Sequence, residues 1–178
     1  MSLQLKQIPA VLVFSVLLLT VGHAHTAKDL PNLYKVNGHL YRGGQPTEAG
    51  LQQLKQLGVK TIIDLRENDD RAKREEIWAK AAGIRFINYP ESGWFKPDRS
   101  RVDAIIKEID NPKNQPVFVH CQRGSDRTGT VIAVYRISHE GWTGRQANDE
   151  AKKFGFGFWQ FWMKDYINDY YRDYKKSH

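Results

Sequence analysis

Residues 116–129 read Pro-Val-Phe-Val-His-Cys-Gln-Arg-Gly-Ser-Asp-Arg-Thr-Gly. The short apolar run before His120 has the character of a buried strand, and it leads directly into a polar loop containing Gly124. Beyond the loop, Val131, Ile132, Val134, Tyr135 and Ile137 mark a helix that closes near Gly141. A strand feeding a helix through a tight loop is the building unit of an α/β domain. In such domains ligands sit outside the carboxyl ends of the parallel strands, where this loop falls.

The same alternation extends outward on both sides. Leu33-Tyr-Lys-Val36 and His39-Leu-Tyr-Arg42 read as strands around the hairpin signal Asn37-Gly38. Thr47 can cap a helix carrying Leu51, Leu54 and Leu57, with Gly58 as its stop. Residues 60–65 and 84–89 read as strands on either side of a charged helix over 69–82. After Asp98, Val102, Ile105, Ile106 and Ile109 share one helix face until Asn111-Pro112. Thr143 and Gln146 form a capping-box signature for a further helix. The aromatic tail over 154–174 is expected to dock on the core, with a break at Gly155 and Gly157; the alternative is a membrane or partner surface. The expected fold class is α/β, with a mainly parallel central sheet flanked by helices.

The loop is built for an anion. A helix N-terminus offers unpaired N–H groups and partial positive charge, so the loop that feeds it can cradle a phosphate. Five residues separate Cys121 from Arg127 across that cradle. The planar fork of Arg127 can grip two phosphoryl oxygens. The same field lowers a thiol's pKa, which makes Cys121 a candidate nucleophile able to form a cysteinyl-phosphate. Gln122, Arg123, Gly124, Ser125 and Thr128 are expected to bind the substrate around it, with Arg123 facing a second anionic group and Thr128 steadying the thiolate. His120 is expected to orient the loop.

The pattern His120-Cys-x5-Arg127-Thr128 resembles the signature of the protein tyrosine/dual-specificity phosphatase superfamily. Leu40-Tyr-Arg-Gly-Gly-Gln-Pro46, Gly58-Val-Lys-Thr-Ile-Ile-Asp-Leu-Arg66 and Val134-Tyr-Arg-Ile137 with Gly141-Trp142 look like its compact atypical dual-specificity branch. That resemblance implies a dual-specificity-phosphatase-like fold and metal-independent hydrolysis of phosphomonoesters. It also implies that phosphoproteins or small phosphate esters are the substrates, with no cofactor and no metal. An inositol polyphosphate or pyrophosphate phosphatase is the alternative within the same branch. A sulfurtransferase also places a Cys loop at a helix N-terminus, but the Arg127-Thr128-Gly129 ending argues against it.

The proton donor to the leaving oxygen is open among Asp98, Asp126 and Glu91. Asp98 also suits a helix start, and Asp126 also suits a brace within the loop; the in-loop position resembles that of the myotubularin lipid phosphatases. Lys96, Arg99 and Arg101 form a candidate basic rim. Arg42 and Asp64 are expected to brace the sheet rather than touch substrate.

The bulk composition agrees with one domain of ordinary polarity in 178 residues. A single Cys excludes an internal disulfide and a thiolate metal cluster. Residues 1–24 read as a signal peptide: Lys6, an apolar stretch over 8–21, then Gly22-His-Ala24. Residues 25–178 are then a single domain in the periplasm or outside the cell, with an uncleaved anchor as the alternative. A net charge of +7 favours anionic partners. The expected partner is a phosphorylated protein or small phosphate ester rather than nucleic acid, with a monomeric chain; peripheral contact with a membrane stays open as an alternative.

Overall fold

The computed structural model describes residues 28–178, so the leader read over 1–24 lies outside the described residues. The described chain runs β1 (Tyr34–Lys35), β2 (Leu40–Gly43), α1 (Glu48–Gln56), β3 (Thr61–Asp64), α2 (Asp70–Ala81), β4 (Arg85–Asn88), α3 (Arg99–Asp110), β5 (Val117–His120), α4 (Asp126–Glu140), α5 (Gly144–Lys153) and α6 (Phe161–Ser177). The sheet order is β1-β2-β5-β3-β4. Strand β5 pairs in parallel with both β2 and β3, β3 pairs in parallel with β4, and only the β1–β2 hairpin is antiparallel. This is the expected α/β architecture.

Alternation along the strands fills both faces of the sheet. Ile62 and Phe118 face α1 and α2 with Leu51, Leu54 and Ala79. Leu40, Ile63, Val117 and Val119 face the larger core with α3, α4 and α6, where Val102, Ile105, Val134 and Ile167 pack. Helix α4 is buried along most of its length, as its apolar run predicts. Thr47 caps α1 through Gly50 N–H, and Thr143 and Gln146 close the capping box on α5.

The aromatic tail divides rather than docking as a whole. Phe156, Tyr166 and Tyr170 are buried, whereas Phe158, Trp159, Phe161 and Trp162 point to solvent. The division has a local cause. Residues 154–160 are not helical, with Gly155 at φ 83°, so 3.6-residue periodicity begins only at Phe161.

Candidate active site

His120 ends β5 and Asp126 opens α4, which leaves residues 121–125 as the loop between them. His120 pairs in register with Gly43 on one side and Asp64 on the other, so the loop leaves the carboxyl edge at the middle of the sheet. Cys121 is buried there. Burial alone would raise its thiol pKa. The Thr128 hydroxyl and N–H, the Arg127 charge and the Gly124 N–H outweigh that effect and hold the thiol below its ordinary value. Arg127 is fixed by its Nη1, which donates to the Leu65 and Glu91 carbonyls, each at 3.2 Å, and to Glu67 Oε2 at 3.1 Å.

The loop rests on the end of β2. Gly124 has φ 75°, and a Cβ there would stand 2.4 Å from the Gly43 carbonyl carbon. Only glycine satisfies both the angle and the approach. Arg42 Nη2 donates to the Gly124 carbonyl at 2.8 Å, and Gln45 N–H donates to the Gln122 carbonyl at 3.1 Å. Burial lowers the Arg42 pKa to about 10, and its guanidinium lies 3.9 Å from the Phe154 ring centroid. Asn32 Nδ2 donates to the Arg123 and Phe154 carbonyls, joining the start of the described chain to the loop.

Beneath the loop lies a fully buried ionic quartet. Arg66 Nη2 contacts Asp64 Oδ2 at 2.7 Å and Glu75 Oε2 at 2.6 Å, and His120 Nε2 lies 2.9 Å from Glu75 Oε1. Burial would lower the His120 pKa, but Glu75 and Asp64 outweigh it and raise it to about 9. The ring is therefore an imidazolium at neutral pH, with Nδ1 donating to the Cys121 carbonyl at 3.2 Å. Two cations balance two carboxylates, which is the condition under which buried charge is tolerated. Asp64, Glu75 and His120 have metal-ligand spacing, but the Arg66 guanidinium beside both carboxylates and the His120 imidazolium already supply the positive charge there.

Above Cys121 opens a pocket of about 400 Å³. Cys121, Gln122, Arg123 and Arg127 line it together with Trp94 and Trp159, and its two carboxylates are Glu67 and Asp126. Gln160 Nε2 donates to the Gly93 carbonyl at 3.0 Å, which ties the two tryptophan-bearing segments together.

The site residues read from sequence separate into three groups. Cys121, Gln122, Arg123, Asp126 and Arg127 reach the pocket. Gly124 and Thr128 act on the thiol through the contacts described above, Thr128 being fully buried. Ser125, expected to bind substrate, is the buried residue before α4 and makes no capping hydrogen bond.

Asp98 does not line the pocket. It is the N-cap of α3, with Oδ1 accepting from the Ser100 hydroxyl at 2.6 Å and Arg101 N–H at 3.0 Å. Those bonds hold its carboxyl below the usual range, the opposite of what a proton donor needs. Glu91 lies behind Arg127, and burial pushes its carboxyl up to about 7. Asp126 is in the pocket, with Oδ1 accepting from Gly157 N–H at 2.7 Å and Oδ2 from Arg123 at 2.5 Å. Lys96 and Arg99 pair instead with Asp169 and Asp103, and Arg101 donates to the Pro90 carbonyl, so these residues form no rim to the pocket. Glu67, Trp94, Trp159 and Gln160 are pocket residues that sequence reasoning did not find.

A family model described as DSP-PTPase phosphatase fused to NAD+ kinase matches residues 19–163. The dual specificity protein phosphatase TpbA of Pseudomonas aeruginosa is 32% identical over 127 residues, covering 71% of this chain and 56% of that protein. Inositol diphosphatase SIW14 of Saccharomyces cerevisiae is 27% identical over 144 residues, covering 77% and 50%. The chain thus spans about half the length of these curated relatives. The crystal structure of P. aeruginosa TpbA superposes with a TM-score of 0.67 at 26% identity, covering 81% of this chain and 91% of that one.

Proposed function

Because the chain belongs to the DSP-PTPase family of phosphatases, we propose that it hydrolyses phosphate monoesters through Cys121, with phosphotyrosine in proteins as the preferred substrate class. The observation that carries this reading is the lowered thiol of Cys121 at the start of α4, in one pocket with Arg127. The Cys121 thiolate attacks phosphorus in line with the leaving oxygen, forming the S–P bond as the O–P bond breaks. Arg127 and the loop N–H groups hold the equatorial oxygens as charge spreads over them. Water then attacks the cysteinyl-phosphate, and Thr128 steadies the departing thiolate. His120 positions the loop through the Cys121 carbonyl.

The pocket's charge argues for a single phosphate on an aromatic group. Arg123 and Arg127 face Glu67 and Asp126, so two cations meet two carboxylates with no surplus to neutralise several phosphates. Trp94 and Trp159 supply flat apolar walls suited to a phenyl ring. The name of SIW14 supports the inositol pyrophosphate alternative, and a substrate panel separates the two. We expect vanadate-sensitive hydrolysis, with kcat/KM higher for tyrosine-phosphorylated peptides than for inositol pyrophosphates. The reverse order would replace the substrate reading, and absence of both activities would remove the function.

We assign the proton delivered to the leaving oxygen to Asp126, which among the three sequence candidates alone lines the pocket. An anionic group on the substrate that draws Arg123 away would free Oδ2 for the leaving oxygen. Asp126→Asn is then expected to slow esters of poorly acidic leaving groups by about 10²-fold or more, and activated aryl esters far less. An equal loss on both would make Asp126 a brace only. The leader pattern of residues 1–24 supports export of a single domain over 25–178.

A further inference from the structure

Six large aromatic side chains are exposed on the two segments that bring Trp94 and Trp159 to the pocket: Trp94, Phe95, Phe158, Trp159, Phe161 and Trp162. Phe158 is 76% and Trp94 73% exposed, and the other exposed large hydrophobics among the described residues are only Tyr34 and Ile77. Exposed apolar side chains concentrated in this way mark an interaction site. Its parts are fastened to one another and to the catalytic loop. Gln160 ties the 154–162 segment to Gly93, Gly157 is held by Asp126, and Phe158 packs edge-on against Trp159 at 4.9 Å.

We propose that this aromatic collar seats the catalytic face in the interfacial layer of an anionic lipid bilayer, so that the Cys121 pocket works at the membrane surface. Three observations favour a bilayer as the occupant. Trp and Phe are side chains that partition to the headgroup boundary, and here they sit on irregular backbone and the first turn of α6. Segments 92–97 and 154–162 contain no carboxylate; their one charged residue, Lys96, pairs with Asp169, while Lys164 stands beside Phe161 and the chain carries +7. The described chain also starts at this face, because Asn32 bonds Arg123 and Phe154. Ten residues separate Asn32 from the apolar stretch over 8–21, a reach of at most about 35 Å. A leader that stays attached would therefore hold the collar against the bilayer, and a released domain keeps the collar itself.

The proposal goes beyond the phosphatase reading, and its test reads binding separately from turnover. Full-length protein and a Phe161→Ser/Trp162→Ser variant are mixed with phosphatidylcholine vesicles with and without phosphatidylglycerol, and co-sedimentation is measured at low and high salt. The same two proteins with residues 1–24 removed keep the leader from carrying the signal. We expect binding to the mixed vesicles that survives leader removal and falls roughly tenfold or more in the variant. Turnover of a soluble aryl phosphate should stay unchanged, since neither residue lines the pocket. No vesicle binding by the leader-less protein overturns the proposal. So does binding that salt abolishes and the variant leaves intact, because it would then be charge alone. A variant that binds vesicles normally but shows a raised KM for a phosphoprotein assigns the collar to a protein partner and overturns it equally. Loss of aryl phosphate turnover in the wild-type protein would instead strike at the phosphatase reading.

Discussion

Cys121→Ser is expected to lower turnover on the order of 10⁴-fold or more, while the protein stays folded and continues to bind phosphate or vanadate. The two halves of that expectation have different origins. A serine hydroxyl at the same place is not appreciably ionised at neutral pH. The groups that lower the thiol are N–H donors, a hydroxyl and a guanidinium, all of which stabilise an anion rather than accept a proton. In the proposed mechanism binding falls to Arg127 and the loop amides, and the substitution leaves the bonds that hold Arg127 in place. Steady-state rates and isothermal titration with phosphate, run on the same preparation, check both. Retained turnover in the serine protein would exclude Cys121 as the nucleophile.

Glu75→Ala is expected to destabilise the fold by about 3–5 kcal/mol at pH 7, because it leaves Arg66 and the His120 imidazolium sharing only Asp64 in a dry interior. The pH dependence identifies the cause. The folded His120 pKa stands near 9 against an ordinary 6.5. Its protonation therefore favours the folded state fully below about pH 6.5, and the contribution is lost as pH rises through 9. That shift corresponds to something on the order of 3 kcal/mol. Urea unfolding of both proteins between pH 6 and 10 should show the wild-type advantage shrinking toward the alkaline end. A gap that does not change with pH would mean that Glu75 acts by packing and by Arg66 alone.

Much of the fold is visible in the sequence because period and punctuation agree. Val117-Phe-Val119, Thr61–Asp64 and the hairpin at Asn37-Gly38 all appear where their patterns place them. Cys121, Arg127 and the helix behind them are legible for the same reason: one short stretch contains strand, loop and helix start. What was hidden depends on pairing between distant segments. Glu75 lies in a helix whose charge reads as a solvated face, and it is buried only because α2 packs beneath β3 and β5. Glu67 meets Arg127 across sixty residues of chain. Trp94 and Trp159 become two walls of one pocket only through the Gln160–Gly93 bond. Asp98 was the opposite case: capping and catalysis use the same residue type, and the cap won because the helix start supplied the N–H groups.

The fit of Gly124 onto Gly43 has a practical consequence for anyone transplanting this phosphate loop into another protein. The loop cannot be grafted as residues 120–129 alone, since its shape is set by a strand end eighty residues upstream. A recipient must offer a glycine where Gly44 meets the Arg123 and Gln122 carbonyls, and a buried arginine to catch the Gly124 carbonyl. The smallest portable unit is therefore the pair of parallel strands β2 and β5 together with the loop that rests on the end of β2, not a linear motif.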